Sequence, residues 1–198
     1  MNKLIIVTGI SGSGKTTISK YIYNHYKNST IISMDILKEN IYDLIGFDSY
    51  EEKQDLKNIV YNTFIRLLTE CMKRKDENII IEYPFNKKWE QIFKELVYKY
   101  NYDAITIKVK GKDYDTIFQR LNERNNSSKR HPSHSLTKYN LKEKDKYKST
   151  NELDYQELKH DYEDNKYTSI CIGKEINYIN DSLNYRDIIK LIDGDDND

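Results

Sequence analysis

Residues 9–16 are Gly-Ile-Ser-Gly-Ser-Gly-Lys-Thr, and they follow the apolar, β-branched stretch Lys3–Thr8. This octapeptide has the pattern G-x-x-x-x-G-K-[ST] of a phosphate-binding loop. The context is the required one, because a strand-like stretch precedes the loop and a segment of helical periodicity, Lys15–Tyr26, follows it. The alternative is a glycine-rich turn that binds nothing, and the four fixed positions in this context disfavour it. The sequence therefore predicts a strand, a phosphate-binding loop and a helix.

Each residue type in this loop has a chemical reason. The glycines let backbone amides approach an anion, and these amides form a cradle with the helix N-terminus. Lys15 is expected to reach the outer phosphates of ATP, and the Thr16 hydroxyl to ligate Mg²⁺. The predicted nucleotide-binding residues are Gly9, Ser11, Gly12, Ser13, Gly14, Lys15, Thr16, Thr17 and Arg120.

Strand-like stretches alternate with helical ones along the rest of the chain. Further strands are predicted at Ile31–Ser33, Asn78–Glu82, Ala104–Val109, Tyr167–Ile172 and Ile176–Ile179. The alternation predicts a single-domain, three-layer α/β fold of the P-loop NTPase type, with a mainly parallel sheet of about five strands. This domain is expected to span residues 1–192 and to precede an acidic tail at 193–198. The polar stretch at about 120–140 has little periodicity and is predicted to contain a mobile, arginine-bearing lid.

Two carboxylates follow predicted strands at the sheet edge where the loop is expected. An acid at Asp35 is suited to orient an acceptor hydroxyl and take its proton, although Asp is also a preferred helix cap. Glu82 ends an apolar strand, where an acid would hold hydrated Mg²⁺ or act as the base. Its alternative is an exposed carboxylate without a role. The sequence leaves open which of the two acids is the base.

Three of the six arginines, Arg120, Arg124 and Arg130, lie within eleven residues. The first two are four residues apart on one face of a predicted helix. Guanidinium groups stabilise charge on a transferring phosphoryl group, and a lid that closes with them would exclude water. We therefore predict catalytic roles for Arg124 and Arg130. The alternative is a solvated, charged helix end.

Weaker signals surround these residues. His131-Pro132-Ser133-His134 contains an H-x-x-H pair, but no third ligand at a metal-binding spacing accompanies it. Substrate contact or hydrogen bonding that shapes the loop is the better prediction. Lys38 is the first cation after Asp35. The predicted substrate-contacting residues are Asp35, Lys38, Glu82 and His131.

Composition excludes several classes of protein. Lys+Arg and Asp+Glu are both 32, so the formal net charge is zero, which disfavours a broad nucleic-acid-binding face. No run of 18 apolar residues predicts a membrane helix, and the N-terminus lacks a secretory pattern. The two cysteines, Cys71 and Cys171, are expected to be free thiols in a reducing cytoplasm. The sequence gives no indication of the oligomeric state.

Five segments carry a resemblance to a known group: GISGSGKTT, Ser33-Met34-Asp35, Ile79–Phe85, DYDTIFQRLNERNNSSKRHPSH and Tyr167–Ser182, the last of which is similar to the group's closing strand pair. In these segments the chain resembles small P-loop kinases of the AAA-domain-containing, zeta-toxin and polynucleotide-kinase-like group. The resemblance implies that Asp35 is the acceptor-hydroxyl base and that Arg124 and Arg130 are lid arginines. The chain departs from adenylate-kinase-like enzymes, because it lacks a D-G-F/Y-P-R signature.

The expected function is an ATP-dependent phosphotransferase, with ATP and Mg²⁺ bound at the loop. The acceptor is a hydroxyl of a small molecule or of a nucleoside or nucleotide. One alternative is a polynucleotide 5′-hydroxyl kinase, which the zero net charge disfavours. The other is a nucleotide-hydrolysing switch or regulator. Asp35 and the arginines favour a kinase over a switch, because they would complete an in-line transfer site within one chain.

Overall fold

Five strands form one parallel sheet in the computed structural model of the chain. The structure describes residues 1–74, 76–126, 131–134, 136–142, 155–164, 167, 169–179 and 185–194. The strands are β1 (Lys3–Thr8), β2 (Ser29–Ser33), β3 (Asn78–Glu82), β4 (Asp103–Lys110) and β5 (Lys174–Ile179). Their order across the sheet is β2-β3-β1-β4-β5, and every neighbouring pair is parallel.

Seven α-helices among the described residues connect and cover these strands. They are α1 (Lys15–His25), α2 (Met34–Ile45), α3 (Tyr50–Arg74), α4 (Glu90–Tyr100), α5 (Tyr114–Asn126), α6 (Tyr155–Glu163) and α7 (Tyr185–Asp193). Short 3₁₀ helices lie at Lys87–Trp89 and Pro132–His134. None of the described helices is both long enough and apolar enough to cross a bilayer.

The central strand β1 is buried on both faces, which explains its unbroken apolar sequence. Leu4 and Ile6 belong to the larger core, which lies beneath α3 and α4. Ile5 and Val7 point the other way, into the core beneath α1 and α7. Alternate residues of one strand thus anchor both helical layers.

Strand register brings the carboxyl ends of three strands to the same level. Glu82 at the end of β3 pairs with Val7 of β1 and with Ser33 of β2. The loop after β1, the start of α2 and the end of β3 therefore meet at one edge of the sheet, where ligands bind in open parallel sheets.

The predicted α/β class and five-stranded sheet are confirmed, but one predicted strand is wrong. Tyr167–Ile172 was expected to pair, yet the described residues 169–172 form no strand. The hydroxyl of Thr106 accepts from the backbone N–H of Ile172 and donates to its carbonyl, so a side chain satisfies this backbone instead of a neighbouring strand. Its apolar periodicity reflects burial of Ile170 and Ile172 in the larger core.

Candidate active site

The loop between β1 and α1 has the backbone that its glycines predict. Gly9, Gly12 and Gly14 all have positive φ angles. A Cβ at Gly9 would lie 2.2 Å from the carbonyl oxygen of Val109, so no larger residue fits there. Gly14 is the N-cap of α1, and its carbonyl accepts from the N–H groups of Thr17 and Ile18. Helix α1 thus begins at the concave side of the loop, with its N-terminal dipole directed into it.

Lys15 lies inside this loop rather than in solvent. It is only 7% exposed, and its ammonium donates to the carbonyl of Ile10 at 2.8 Å. Burial lowers the pKa of Lys15 to about 8, although the carboxylates of Asp35 and Glu82 favour the charged form. A buried ammonium at the N-terminus of a helix is suited to bind an anion, because phosphate oxygens would compensate the burial.

The Thr16 hydroxyl donates to Oε1 of Glu82 at 2.5 Å. Glu82 is 4% exposed, and burial raises its pKa, while Thr16 and Lys15 oppose the rise. A bound cation would reverse this effect by favouring the ionised carboxylate. A hydroxyl and a carboxylate at a phosphate-binding loop are the ligands that Mg²⁺ takes with water and phosphate oxygens, so the residues present fit this ion. No group of three or more His, Cys, Asp or Glu in the described part of the chain forms a metal cage.

Asp35 lies in the first turn of α2, directly across from the loop. The N-cap of this helix is Ser33, so Asp35 does not occupy the cap position that the alternative interpretation gave it. Its half-buried side chain lines a cavity of about 390 Å³ beside Thr16 and Glu82. The charge of Asp35 favours the protonated form of Lys15 and so raises its pKa. The Asp35 carboxylate therefore lies near the phosphate-binding loop.

Arg120 and Arg124 both lie on α5, as the sequence indicates. Arg124 lines the same cavity, and its charge opposes the protonated form of Lys15. Arg120 is half-buried one turn earlier on α5. Arg130 lies outside the described residues, so its predicted role stays a prediction.

The two histidines of the H-P-x-H stretch are held by acids of α2. Nε2 of His131 lies 2.8 Å from Oδ1 of Asp43, and its Nδ1 lies 2.6 Å from the Ser133 hydroxyl. Nε2 of His134 lies 2.7 Å from Oε1 of Glu39. Both histidines line the 390 Å³ cavity, yet both ring nitrogens of His131 already have protein partners. The geometry therefore fits the loop-shaping alternative for His131 at least as well as substrate contact.

Further contacts anchor the chain that follows these histidines. The backbones of Phe47 and Tyr139 form an antiparallel bridge with hydrogen bonds of 2.9 and 2.7 Å. The Tyr139 hydroxyl donates to Asp43, and the Lys53 ammonium donates to the carbonyl of Leu136. Residues 131–134 and 136–142 thus form a wall of the cavity against α2 and α3. We call this stretch the cavity wall.

Sequence reasoning missed the acids that hold this wall. Glu39 and Asp43 are four residues apart on α2, and their histidine partners are three residues apart. The spacings match, but 88 and 95 residues separate the partners along the chain. The only sequence signal for these two hydrogen-bonded pairs is that the acids are four residues apart and the histidines three, so that each pair of side chains could lie on one face of its segment.

The fold and this site define the class: a P-loop protein whose sheet edge combines a phosphate-binding loop, two acids and an arginine. The profile of a family described as an AAA domain matches residues 5–147. The chain belongs to this family, in agreement with the predicted group.

Solved structures share the fold. A proposed kinase from Chloroflexus aurantiacus superposes with a TM-score of 0.74 at 16% identity, over 98% of this chain and 97% of that one. Kti12 from Chaetomium thermophilum, solved with ADP-AlF3, gives a TM-score of 0.57 at 17% identity, over 96% and 97%. The Deinococcus radiodurans tunicamycin resistance protein gives 0.58 at 10% identity, over 98% and 95%.

One curated relative matches in sequence. It is the Mycoplasma pneumoniae protein named "Uncharacterized protein MG268 homolog", 26% identical over 146 residues, or 61% of this chain. The match spans 63% of the length of that relative.

Proposed function

We propose that the protein is an ATP-dependent phosphotransferase that moves the γ-phosphate of ATP to a hydroxyl of a small molecule. One observation carries this proposal: Asp35, Glu82 and Arg124 line one cavity of about 390 Å³ at the sheet edge, and the charges of all three act on Lys15 of the phosphate-binding loop. A hydrolysing switch would need an ordered water and no acceptor cavity. Kti12, which has the same fold, was solved in complex with ADP-AlF3, and this supports nucleotide binding by the present chain.

The transfer step uses these groups in distinct roles. The acceptor oxygen forms a bond to the γ-phosphorus as the bond to the β–γ bridging oxygen breaks. The bridging oxygen keeps the electron pair and leaves within ADP, and Asp35 takes the proton of the acceptor hydroxyl. Lys15 and Arg124 stabilise the charge on the transferring group. Mg²⁺ would be held by Thr16 and Glu82 and would neutralise charge on the phosphates.

Asp35 is a better candidate for the base than Glu82. The carboxylate of Glu82 also lines the cavity, but it already accepts from Thr16 and is only 4% exposed, so little of it is open to an acceptor. Asp35 is more accessible and borders the open cavity, where an acceptor hydroxyl would reach it. A base must lie within hydrogen-bond reach of the proton that it removes.

We further propose that residues 120–140 act as the lid of a domain that spans residues 1–192. Arg124 on α5 and the cavity wall lie at opposite ends of this stretch and both border the cavity. Movement of the residues between Arg124 and the cavity wall would bring Arg130, with its predicted catalytic role, to the phosphates and would exclude water from them. The acidic tail at 193–198 has no role in this scheme.

The decisive experiment supplies ATP labelled at the γ-phosphate, with Mg²⁺, to the full chain. Sugars, sugar acids, sugar phosphates, nucleosides, aminoglycosides and a 5′-hydroxyl oligonucleotide serve as acceptors, and chromatography locates the label. The proposal predicts label on a small acceptor and loss of this transfer in Asp35→Asn. Label released only as inorganic phosphate, at a rate that no acceptor changes, would establish the switch alternative. Label on the oligonucleotide alone would establish the polynucleotide kinase.

A further inference from the structure

A second, smaller cavity of about 110 Å³ adjoins the first one between α2 and α3. Lys38 and Tyr83 line both cavities, so the two lie side by side. The other lining residues are Met34, Lys57, Val60 and Tyr61. Two ammonium groups and two phenols thus surround this space, and none of the described residues that line it is a carboxylate.

The charge around this cavity is positive and concentrated. Lys53, one turn before Lys57 on α3, is buried, and burial lowers its pKa to about 8. The charges of Lys38 and Lys57 lower this pKa further, so these ammonium groups repel that of Lys53. Lys53 is committed to the Leu136 carbonyl and to the face of Phe47. An anion between Lys38 and Lys57 would relieve this repulsion.

Hydrogen-bonding capacity remains around the same cavity. The Lys57 ammonium donates to Oε1 of Gln54 at 3.0 Å, which uses one of its three donors. Burial raises the pKa of the Tyr61 phenol, and the neighbouring Tyr83 phenol opposes this rise. Tyr42 does not line this cavity, but its ring lies 5.9 Å from the Lys38 ammonium, and its buried hydroxyl has no hydrogen-bond partner among the described residues. A buried polar group without a partner is uncommon and calls for an explanation such as a ligand or water.

We infer that Lys57 and Lys38 form an anion subsite, and that the phosphate acceptor is therefore a small hydroxylated acid. This inference rests on the proposed function and specifies its acceptor. The anionic group of the acceptor, a carboxylate or a phosphate, occupies the 110 Å³ cavity, while its hydroxyl lies beside Asp35 in the larger one. A space of this size holds such a group, since one water needs only about 10–15 Å³. A polynucleotide would instead need cations along an extended track.

Three acceptors that differ at one carbon test the subsite. Glucuronate carries a carboxylate at C6, glucose 6-phosphate carries a phosphate, and glucose is neutral. We expect at least one of the two acids to have a kcat/KM at least tenfold above that of glucose, and comparison of the two identifies which anion the site takes. Lys57→Ala should raise the KM for that acid by about 10–100-fold with little change in kcat, as expected for loss of a hydrogen bond to a charged group. Lys27→Ala, which changes an exposed lysine far from both cavities, is the matched control.

Calorimetric titration of the Mg–ADP-bound protein with each sugar measures binding without transfer. Acid binding that Lys57→Ala abolishes, together with no transfer in any assay, would reject the phosphotransferase and retain the subsite. The subsite is overturned if glucose equals both acids, if Lys57→Ala leaves the KM for acids unchanged, or if neither acid binds. It is also overturned if an oligonucleotide is the acceptor whose KM depends on Lys57.

Discussion

The nucleotide side and the acceptor side of the candidate active site differ in the groups that they present to a ligand. The nucleotide side consists of residues 9–17, and it presents backbone amides, one buried lysine and the start of one helix. The acceptor side is made of side chains from α2, α3, the end of β3 and the cavity wall. The first is continuous in sequence, whereas the second includes hydrogen-bonded partners that are 95 positions apart.

This difference separates a general task from a specific one. Backbone amides at a helix N-terminus bind any phosphate, so the nucleotide side requires glycines and little else. Side chains set the shape and charge of the acceptor cavities and therefore the choice of acceptor. We expect changes on the nucleotide side to abolish transfer from every acceptor, and changes on the acceptor side to alter selectivity or stability.

The largest effect is expected from Lys15→Ala. It removes the ammonium that would contact the outer phosphates, so transfer should fall to background with every acceptor. The fold should persist, since Lys15 lies in the loop and not in either apolar core. Steady-state kinetics and a thermal melt measure both properties, and Lys27→Ala is the control. Turnover near the wild-type rate would show that the loop does not hold the transferring phosphate.

Arg124→Ala should have the next largest effect. Removing one preorganised donor to a developing charge typically lowers kcat by about 10²–10³-fold. We expect this fall with a smaller change in the KM for ATP, because Arg124 would act mainly in the transition state. The control is Arg66→Ala, an exposed arginine on α3. A raised KM with unchanged kcat would instead assign Arg124 to ground-state nucleotide binding.

The smallest expected effect is a dependence of the free energy of unfolding on pH, caused by His134 in the cavity wall. Burial lowers the pKa of His134, Lys38 adds to this, and Glu39 and Asp35 oppose it. The unfolded chain therefore binds a proton more readily than the folded chain, and the free energy of unfolding should decrease as pH falls through about 6.5. One such group contributes at most about 1.4 kcal/mol per pH unit. Glu39, with a lowered pKa, affects stability only at more acidic pH.

Urea unfolding at pH 7.5, 6.5 and 5.5 measures this dependence. His134→Gln should flatten it, whereas His25→Gln, at an exposed position on α1, should not. An equal slope in wild type and His134→Gln would mean that the histidine titrates alike in the folded and unfolded chains.

The sequence could predict the nucleotide side and the sheet because both depend on local patterns. Gly9–Thr16 is a continuous motif, and the β-branched strands carry their own periodicity. Asp35 and Glu82 could be predicted because parallel strands align their carboxyl ends, and the register of Ser33, Glu82 and Val7 agrees.

The acceptor side could not be predicted in the same way. The pairing of His134 with Glu39 and the position of Lys57 beside Lys38 depend on how α2 packs on α3 and on the cavity wall. Neither contact has a local signature. The false strand at Tyr167–Ile172 has a related cause, because burial and strand pairing produce the same apolar pattern in a short segment.

The division of labour between the two carboxylates is the central claim, and a comparison of Asp35→Asn with Glu82→Gln tests it most directly. The measurement is the single-turnover rate of phosphoryl transfer as a function of Mg²⁺ concentration, at saturating ATP and acceptor. Asp35→Asn should lower the maximal rate by about 10²–10⁴-fold and leave the half-saturating Mg²⁺ concentration unchanged. Glu82→Gln should raise that concentration, because a neutral amide replaces the carboxylate that would hold the ion. The opposite pattern, with the rate lost in Glu82→Gln and retained in Asp35→Asn, would contradict the account and make Glu82 the base.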